Sequence, residues 1–300
     1  MWGVKPRTPL PPHLAAHPFS SAQGLRAGLG RTRMRGSDLD HPFRGVNLAK
    51  AAAHDLESLC LALQTRLPPD AFVCGATAAR LMKLPLPLEL ERGTTIHVAV
   101  PAPRTAPTGR GLTGHSVRVD SRDVQQRGGL RISAPARVFC ELSTAIDLPD
   151  LVAVGDYLIS HQMPMVDLAT LVDTVERYPR GKGGATLRAA VPLLDGCSES
   201  RRESILRVII VTGGITGVVA NEWINTSGGE RYRGDLVIRE KKVVIEYQSR
   251  FHEDPIDFRK DMTRISRLEA DGWVVIQVNA NDLADPAELL ARIRLVLAAR

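Results

Sequence analysis

Beyond residue 198 the sequence carries a pattern that severely limits its fold. Short β-branched apolar runs alternate with amphipathic stretches, and each of two neighbouring runs contains one acid. Residues 201–212 have helical periodicity, 218–225 read as a strand, and Ser227-Gly228-Gly229 as a turn. Residues 231–238 and 243–247 form two further strands on either side of Glu240-Lys241-Lys242. A helix over 257–270, a strand over 273–278 and a helix over 286–299 complete the order. Helix, three-strand meander, helix, strand, helix is an α/β (α+β) arrangement.

The two acids are Asp235 and Glu246, set in Leu236-Val237-Ile238 and Val243-Val244-Ile245 surroundings. A carboxylate buried in such a run without a partner costs several kcal/mol. Two arrangements relieve that cost. The acids can converge on one hard divalent cation, Mg²⁺ or Mn²⁺, which prefers oxygen ligands, or they can face solvent and pair with Arg231, Arg233 or Lys242. Gln248, two residues beyond Glu246, falls on the same face by alternation. Asp, then Glu-x-Gln, on adjacent strands suits metal-assisted phosphodiester hydrolysis. Glu203 can join such a site, or close a capping box with Ser200 at the helix start. Arg259, Asp261 and Arg264 lie at helical spacing and can form an ion-paired face or reach phosphate.

The rest of the chain is less explicit. Three hundred residues exceed one ordinary core, and three parts are read: a basic module over 1–47, a mixed α/β region over 48–197 ending in helices, and 198–300. No apolar run is long enough for a membrane span and the first fifteen residues lack a signal-peptide core, so a cytoplasmic protein is expected. Cys60, Cys74, Cys140 and Cys197 have no C-x-x-C spacing, which disfavours zinc and suggests buried thiols. The net charge is +6, and residues 1–50 hold eight Lys/Arg against Asp38 and Asp40, so the remainder is balanced at 31 of each sign. A basic segment on a neutral body suits DNA as partner, through Arg31, through Arg33 and Arg35 on a second helical stretch (32–39) and through Arg44 in an extended turn (41–46), or it is a solvated tail.

Gly234-Asp235, ten residues, then Glu246-Tyr247-Gln248 resembles the PD-(D/E)xK signature of restriction-endonuclease-like nucleases. Ser200-x-x-Glu203, His252, Arg259-x-Asp261-x-x-Arg264-x-x-x-Leu268 and Gly272-Trp273 are similar to the DUF559 branch, related to very-short-patch-repair endonucleases. The resemblance implies that Asp235 and Glu246 bind metal and that Glu203 contributes. Gln248 stands where the family has lysine or aspartate, and glutamine can only hydrogen-bond there. Phe19 to Leu25, Arg33 to Leu39 and Phe43-Arg44-Gly45-Val46 resemble the winged-helix start of AbiEi-type antitoxins. Gly75 to Ala79, Ile96 to Val100 and Ser133 to Arg137 are similar to the middle of those proteins. That second resemblance implies DNA binding at the N-terminus and a cognate toxin as partner.

Overall fold

A computed structural model describes residues 8–51, 55–179, 181–248 and 255–300, with the side chains of 255–258 excepted. Lys5, Arg7, Arg180 and His252 lie outside the described residues. The protein is α/β with mixed sheets and divides into two compact units, residues 1–84 with 88–141, and 85–87 with 142–300. Among the described residues no helix is long and apolar enough to cross a membrane.

The first unit opens with α1 (Pro12–Ala16), β1 (Phe19–Ser20), α2 (Ser21–Arg26), β2 (Leu39–Asp40) and β3 (Val46–Ala49). The three strands pair antiparallel in the order β1-β3-β2. Ser20 caps α2 in a reciprocal box with Gln23. The helical stretch expected over 32–39 is only a 3₁₀ turn, Arg33–Arg35, which Gly36 ends before β2 begins. Residues 46–49 are strand, and α3 (Leu56–Gln64) is capped by Asp55.

After α3 come β4 (Phe72–Val73), α4 (Gly75–Leu81), α5 (Leu88–Glu91), β5 (Ile96–Pro101), β6 (Leu112–Val117), β7 (Val124–Arg127), β8 (Leu130–Ser133) and α6 (Pro135–Leu142). They build a five-stranded mixed sheet, β6-β5-β4-β8-β7. His97 and His115 are strand residues here, and Cys60, Cys74 and Cys140 are buried thiols. Arg137 of α6 is buried between Asp123 (3.1 Å) and Glu141 (3.0 Å), and Glu141 also accepts from Gly75 N–H at the start of α4. A buried guanidinium is tolerable only when paired in this way.

The second unit begins with the helices α7 (Leu148–Leu158), α8 (Leu168–Arg177), α9 (Gly184–Ala190) and α10 (Arg201–Thr212). It continues with β9 (Val219–Asn225), β10 (Arg231–Ile238), β11 (Val243–Tyr247), α11 (Pro255–Ala270), β12 (Val274–Val278), α12 (Ala280–Ala284) and α13 (Pro286–Ala298). The sheet order is β12-β11-β10-β9, antiparallel except for the β11/β12 crossover pair. Helix α11 spans that crossover, as a parallel connection requires. One sheet face packs Leu236, Ile238, Val243 and Ile245 against Leu206 and Ile210 of α10 and Leu289 and Ile293 of α13. On the other face Val237 and Val244 meet Leu268 of α11, together with Trp273. Arg207 of α10 bonds the buried Asp156 of α7 at 2.7 Å, joining the helices to the sheet layer.

Ile245 is fully buried, whereas Val219 at the sheet edge is 48% exposed. Ile245→Ala should therefore cost about 2–5 kcal/mol in urea unfolding, and Val219→Ala no more than ~0.5 kcal/mol. Equal costs would contradict this packing.

Candidate carboxylate site

Strand pairing brings the two acids together. β10 and β11 are in register at Leu236↔Ile245, so the next step along each strand is Asp235 and Glu246. There the backbone ladder stops, and the Asp235 carboxylate takes over its role. Oδ2 accepts the Tyr247 N–H at 2.9 Å. Gly234 is required beside it, because a Cβ at that position would stand 2.7 Å from a Val244 methyl and 2.9 Å from a Val237 methyl. The Gly-Asp pair thus has a steric reason for its glycine and a hydrogen-bonding reason for its aspartate.

Glu246 is only 4% exposed and faces α11. Arg264 grips it through both nitrogens, Nη1 to Oε1 and Nη2 to Oε2, the latter at 2.6 Å. The same guanidinium bonds Asp261 Oδ1, with Nε at 3.1 Å, and Gln248 donates to Asp261 Oδ2 at 3.4 Å. Glu246, Arg264, Asp261 and Gln248 therefore form one chain of contacts between β11 and α11. Bidentate pairing is the strong form of this interaction, and it holds the Arg264 pKa above its ordinary value. The expected Arg264–Asp261 helical pair exists, and Gln248 shares the face of Glu246. Arg231 instead lies over the Trp223 ring, Arg233 pairs with Glu199 at 2.7 Å, and Lys242 donates to Asp271 O. None of their described contacts reaches either acid.

Glu203 approaches from α10, which packs on the opposite sheet face. The Ser200 hydroxyl caps the Glu203 N–H at 3.2 Å, but the reciprocal bond goes one residue further out, with Glu203 Oε2 accepting from Glu199 N–H at 3.0 Å. Oε2 also accepts from Asn221 Nδ2 at 2.8 Å. Asn221 sits within β9 at φ +54°, a left-handed conformation that Asn tolerates better than most residues, and β9 skips its pairing there. Nothing in the sequence around Asn221 marks it. Likewise, the Arg264–Glu246 contact spans eighteen residues of sequence and depends wholly on helix-to-sheet packing.

Burial raises the Asp235 pKa to about 6, with the charges of Glu203 and Glu246 adding to the rise, while the Tyr247 N–H and Arg264 oppose it. Whether these residues suit a divalent cation follows from their chemistry. The donors are hard oxygens, and Asp235 Oδ1 has no hydrogen bond among the described residues. The crowding of negative charge at Asp235 is what a cation relieves. Glu246, in contrast, already has a counter-charge in Arg264. Among the described residues no group of three or more His, Cys, Asp or Glu side chains is gathered as a metal cage. A cation here would rest mainly on Asp235 and share Glu246 with Arg264.

The arginines expected to meet DNA divide. Arg33 is bound by Asp38 at 2.8 Å, whereas Arg31, Arg35 and Arg44 are exposed with no side-chain partner among the described residues. Arg259 is exposed on α11, and Arg264 is committed to the carboxylates.

No family model matches the chain. Over 242 residues it is 28% identical to Uncharacterized protein Rv2248 of Mycobacterium tuberculosis strain ATCC 25618 / H37Rv, a match covering 80% of this chain and 86% of that protein. It is equally similar, over the same length, to Uncharacterized protein MT2308 of strain CDC 1551 / Oshkosh. Neither name carries an activity.

The raised pKa of Asp235 fixes the sign of a pH effect. The unfolded carboxyl ionises near its ordinary value of 3.8 and the folded one near 6, so stability present below pH ~4 is lost as pH rises to about 6. Asp235→Asn retains an acceptor for Tyr247 N–H and removes the charge. It should melt higher than wild type at pH 7–8, by at most about 3 kcal/mol at ~1.4 kcal/mol per tenfold change in proton affinity. The difference should vanish below pH ~4. A variant less stable than wild type at pH 8 would contradict the crowding of charge at this site.

Proposed function

We propose that residues 198–300 are a metal-dependent DNA endonuclease domain of the restriction-endonuclease-like fold, similar to the DUF559 branch, in a cytoplasmic DNA-associated protein. One observation carries the reading. Asp235 and Glu246 face each other one register step beyond the Leu236↔Ile245 pair of a buried hairpin, and the fold tolerates at Asp235 a carboxyl whose pKa is raised to about 6. Structural needs alone would be met by an uncharged hydrogen-bond acceptor at Asp235.

Asp235 and Glu246 would hold Mg²⁺ or Mn²⁺, with Glu203 acting on Asp235 through its charge. When bound, such a metal supplies hydroxide at neutral pH and offsets charge developing on phosphate. The chain's own residues position this arrangement. Arg264 orients Glu246, Asn221 fixes the Glu203 carboxylate, and Tyr247 N–H fixes one oxygen of Asp235. Gln248, tied to Asp261, orients without supplying the positive charge of a lysine. Arg31, Arg35 and Arg44 would contribute affinity through phosphate contacts that release counterions.

A second reading is favoured by the same Arg264. A guanidinium that saturates Glu246, beside a glutamine in place of lysine, suits a regulator of the antitoxin kind whose nuclease fold serves as a binding platform with a toxin partner. The two separate in one assay. Full-length protein should nick or cut DNA only when Mg²⁺ or Mn²⁺ is present, and Asp235→Ala and Glu246→Gln should abolish cutting without loss of folded structure. Glu203→Gln should also lose activity at unchanged melting temperature. Full activity in either Asp235→Ala or Glu246→Gln removes the proposed site. DNA binding without cutting, across supercoiled, single-stranded and mismatched substrates, selects the regulator.

A further inference from the structure

The first unit holds a cavity of about 560 Å³, within the size range of small-molecule sites. Its floor is apolar, with Leu63 and Leu67 at and beyond the end of α3, Leu112 at the start of β6, and the half-buried Phe43. Around that floor stand the exposed side chains of Arg44, Arg66, Arg104 and Arg110. No Asp or Glu is among the described residues that line it. Arg104 pairs with Asp70 at 3.3 Å, outside the lining, while Arg44, Arg66 and Arg110 have no side-chain partner among the described residues.

Solvated arginines usually spread apart, because like charges repel. Here three separate segments, 41–44, 63–68 and 104–112, deliver arginine to one concavity. The approach is also tight. Gly45 has φ +74°, and a Cβ on it would lie 3.3 Å from the guanidinium carbon of Arg66, so Arg66 rests against the turn that carries Phe43 and Arg44. Guanidinium groups match phosphate oxygens in charge and fork geometry. An aromatic ring beside an apolar floor accommodates the face of a base. We propose that this cavity binds a nucleoside phosphate, with phosphates on Arg44, Arg66 and Arg110 and the base against Phe43 and the leucine floor. The site belongs to the first unit and does not depend on the carboxylates of β10 and β11.

A free nucleotide and an unpaired nucleotide of a nucleic-acid strand share this chemistry, and binding to full-length protein distinguishes them. The probes are ATP, inorganic pyrophosphate, and a fluorescent single-stranded oligodeoxynucleotide, read by calorimetry and fluorescence polarisation. ATP binding ahead of pyrophosphate identifies a free nucleotide; oligonucleotide binding without ATP binding identifies a strand. In either case Arg66→Ala with Arg110→Ala should weaken the bound probe at least tenfold at unchanged melting temperature, as should Phe43→Ala for any base-bearing probe. For the oligonucleotide, the slope of log K on log salt should become shallower by about 0.7 for each arginine that no longer meets a phosphate. Binding of every probe should persist in EDTA, separating this site from the metal-dependent nuclease reading. Equal binding by wild type and the double arginine variant overturns the proposal. So does a wild type that binds none of the probes, or pyrophosphate binding that equals ATP binding and is indifferent to Phe43.

Discussion

The second unit turns on how a buried hairpin carries two negative charges. Glu246 lies in a strand whose neighbours Val244 and Ile245 are fully buried, and its charge is acceptable there because Arg264 meets both oxygens. Removing one partner of such a pair leaves an uncompensated buried charge, at a cost of about 3–5 kcal/mol. The constraint spreads outward. Arg264 must sit where α11 crosses β11, Asp261 steadies it from the previous turn, and Leu268 packs one turn further on against Val237 and Val244. The register of α11 on the sheet is thereby set jointly by an ion pair and an apolar contact.

Asp235 receives the opposite treatment. It has no bidentate partner, its N–H donor is a single backbone group, and acids reach it from both sides of the sheet. The fold carries one carboxylate with a bound counter-charge and one whose ionisation it opposes, facing each other across the hairpin. A carboxyl held above its ordinary pKa beside a second acid is common where chemistry is done. This contrast also explains why Arg264 does not by itself decide between a catalytic and a binding role, since Arg264 addresses Glu246 far more than Asp235.

Much of the second unit was legible because local signals agreed. Period-two apolar runs, a Ser-Gly-Gly turn, a Ser200 cap and a Pro286 start placed the strands and principal helices beyond residue 198 within about two residues. The Asp235 and Glu246 pairing followed from the tight turn between their strands. The first fifty residues read less well, because Gly36 and the short strands around residues 39 and 46 override a weak helical pattern. Contacts across elements escaped altogether. Asn221 on Glu203, Arg264 on Glu246, and Arg66 beside Gly45 each join residues at least eighteen positions apart, and no periodicity reports them.

Whether Asp235 and Glu246 constitute a cation site is tested most directly by Mn²⁺ binding, followed by electron paramagnetic resonance. Full-length wild type should show a saturable Mn²⁺ site that Mg²⁺ displaces, weakened or abolished in Asp235→Asn while the protein remains folded. Mn²⁺ binding that is the same in wild type and Asp235→Asn, or absent from wild type at any concentration short of precipitation, would contradict the assignment of these carboxylates to a metal.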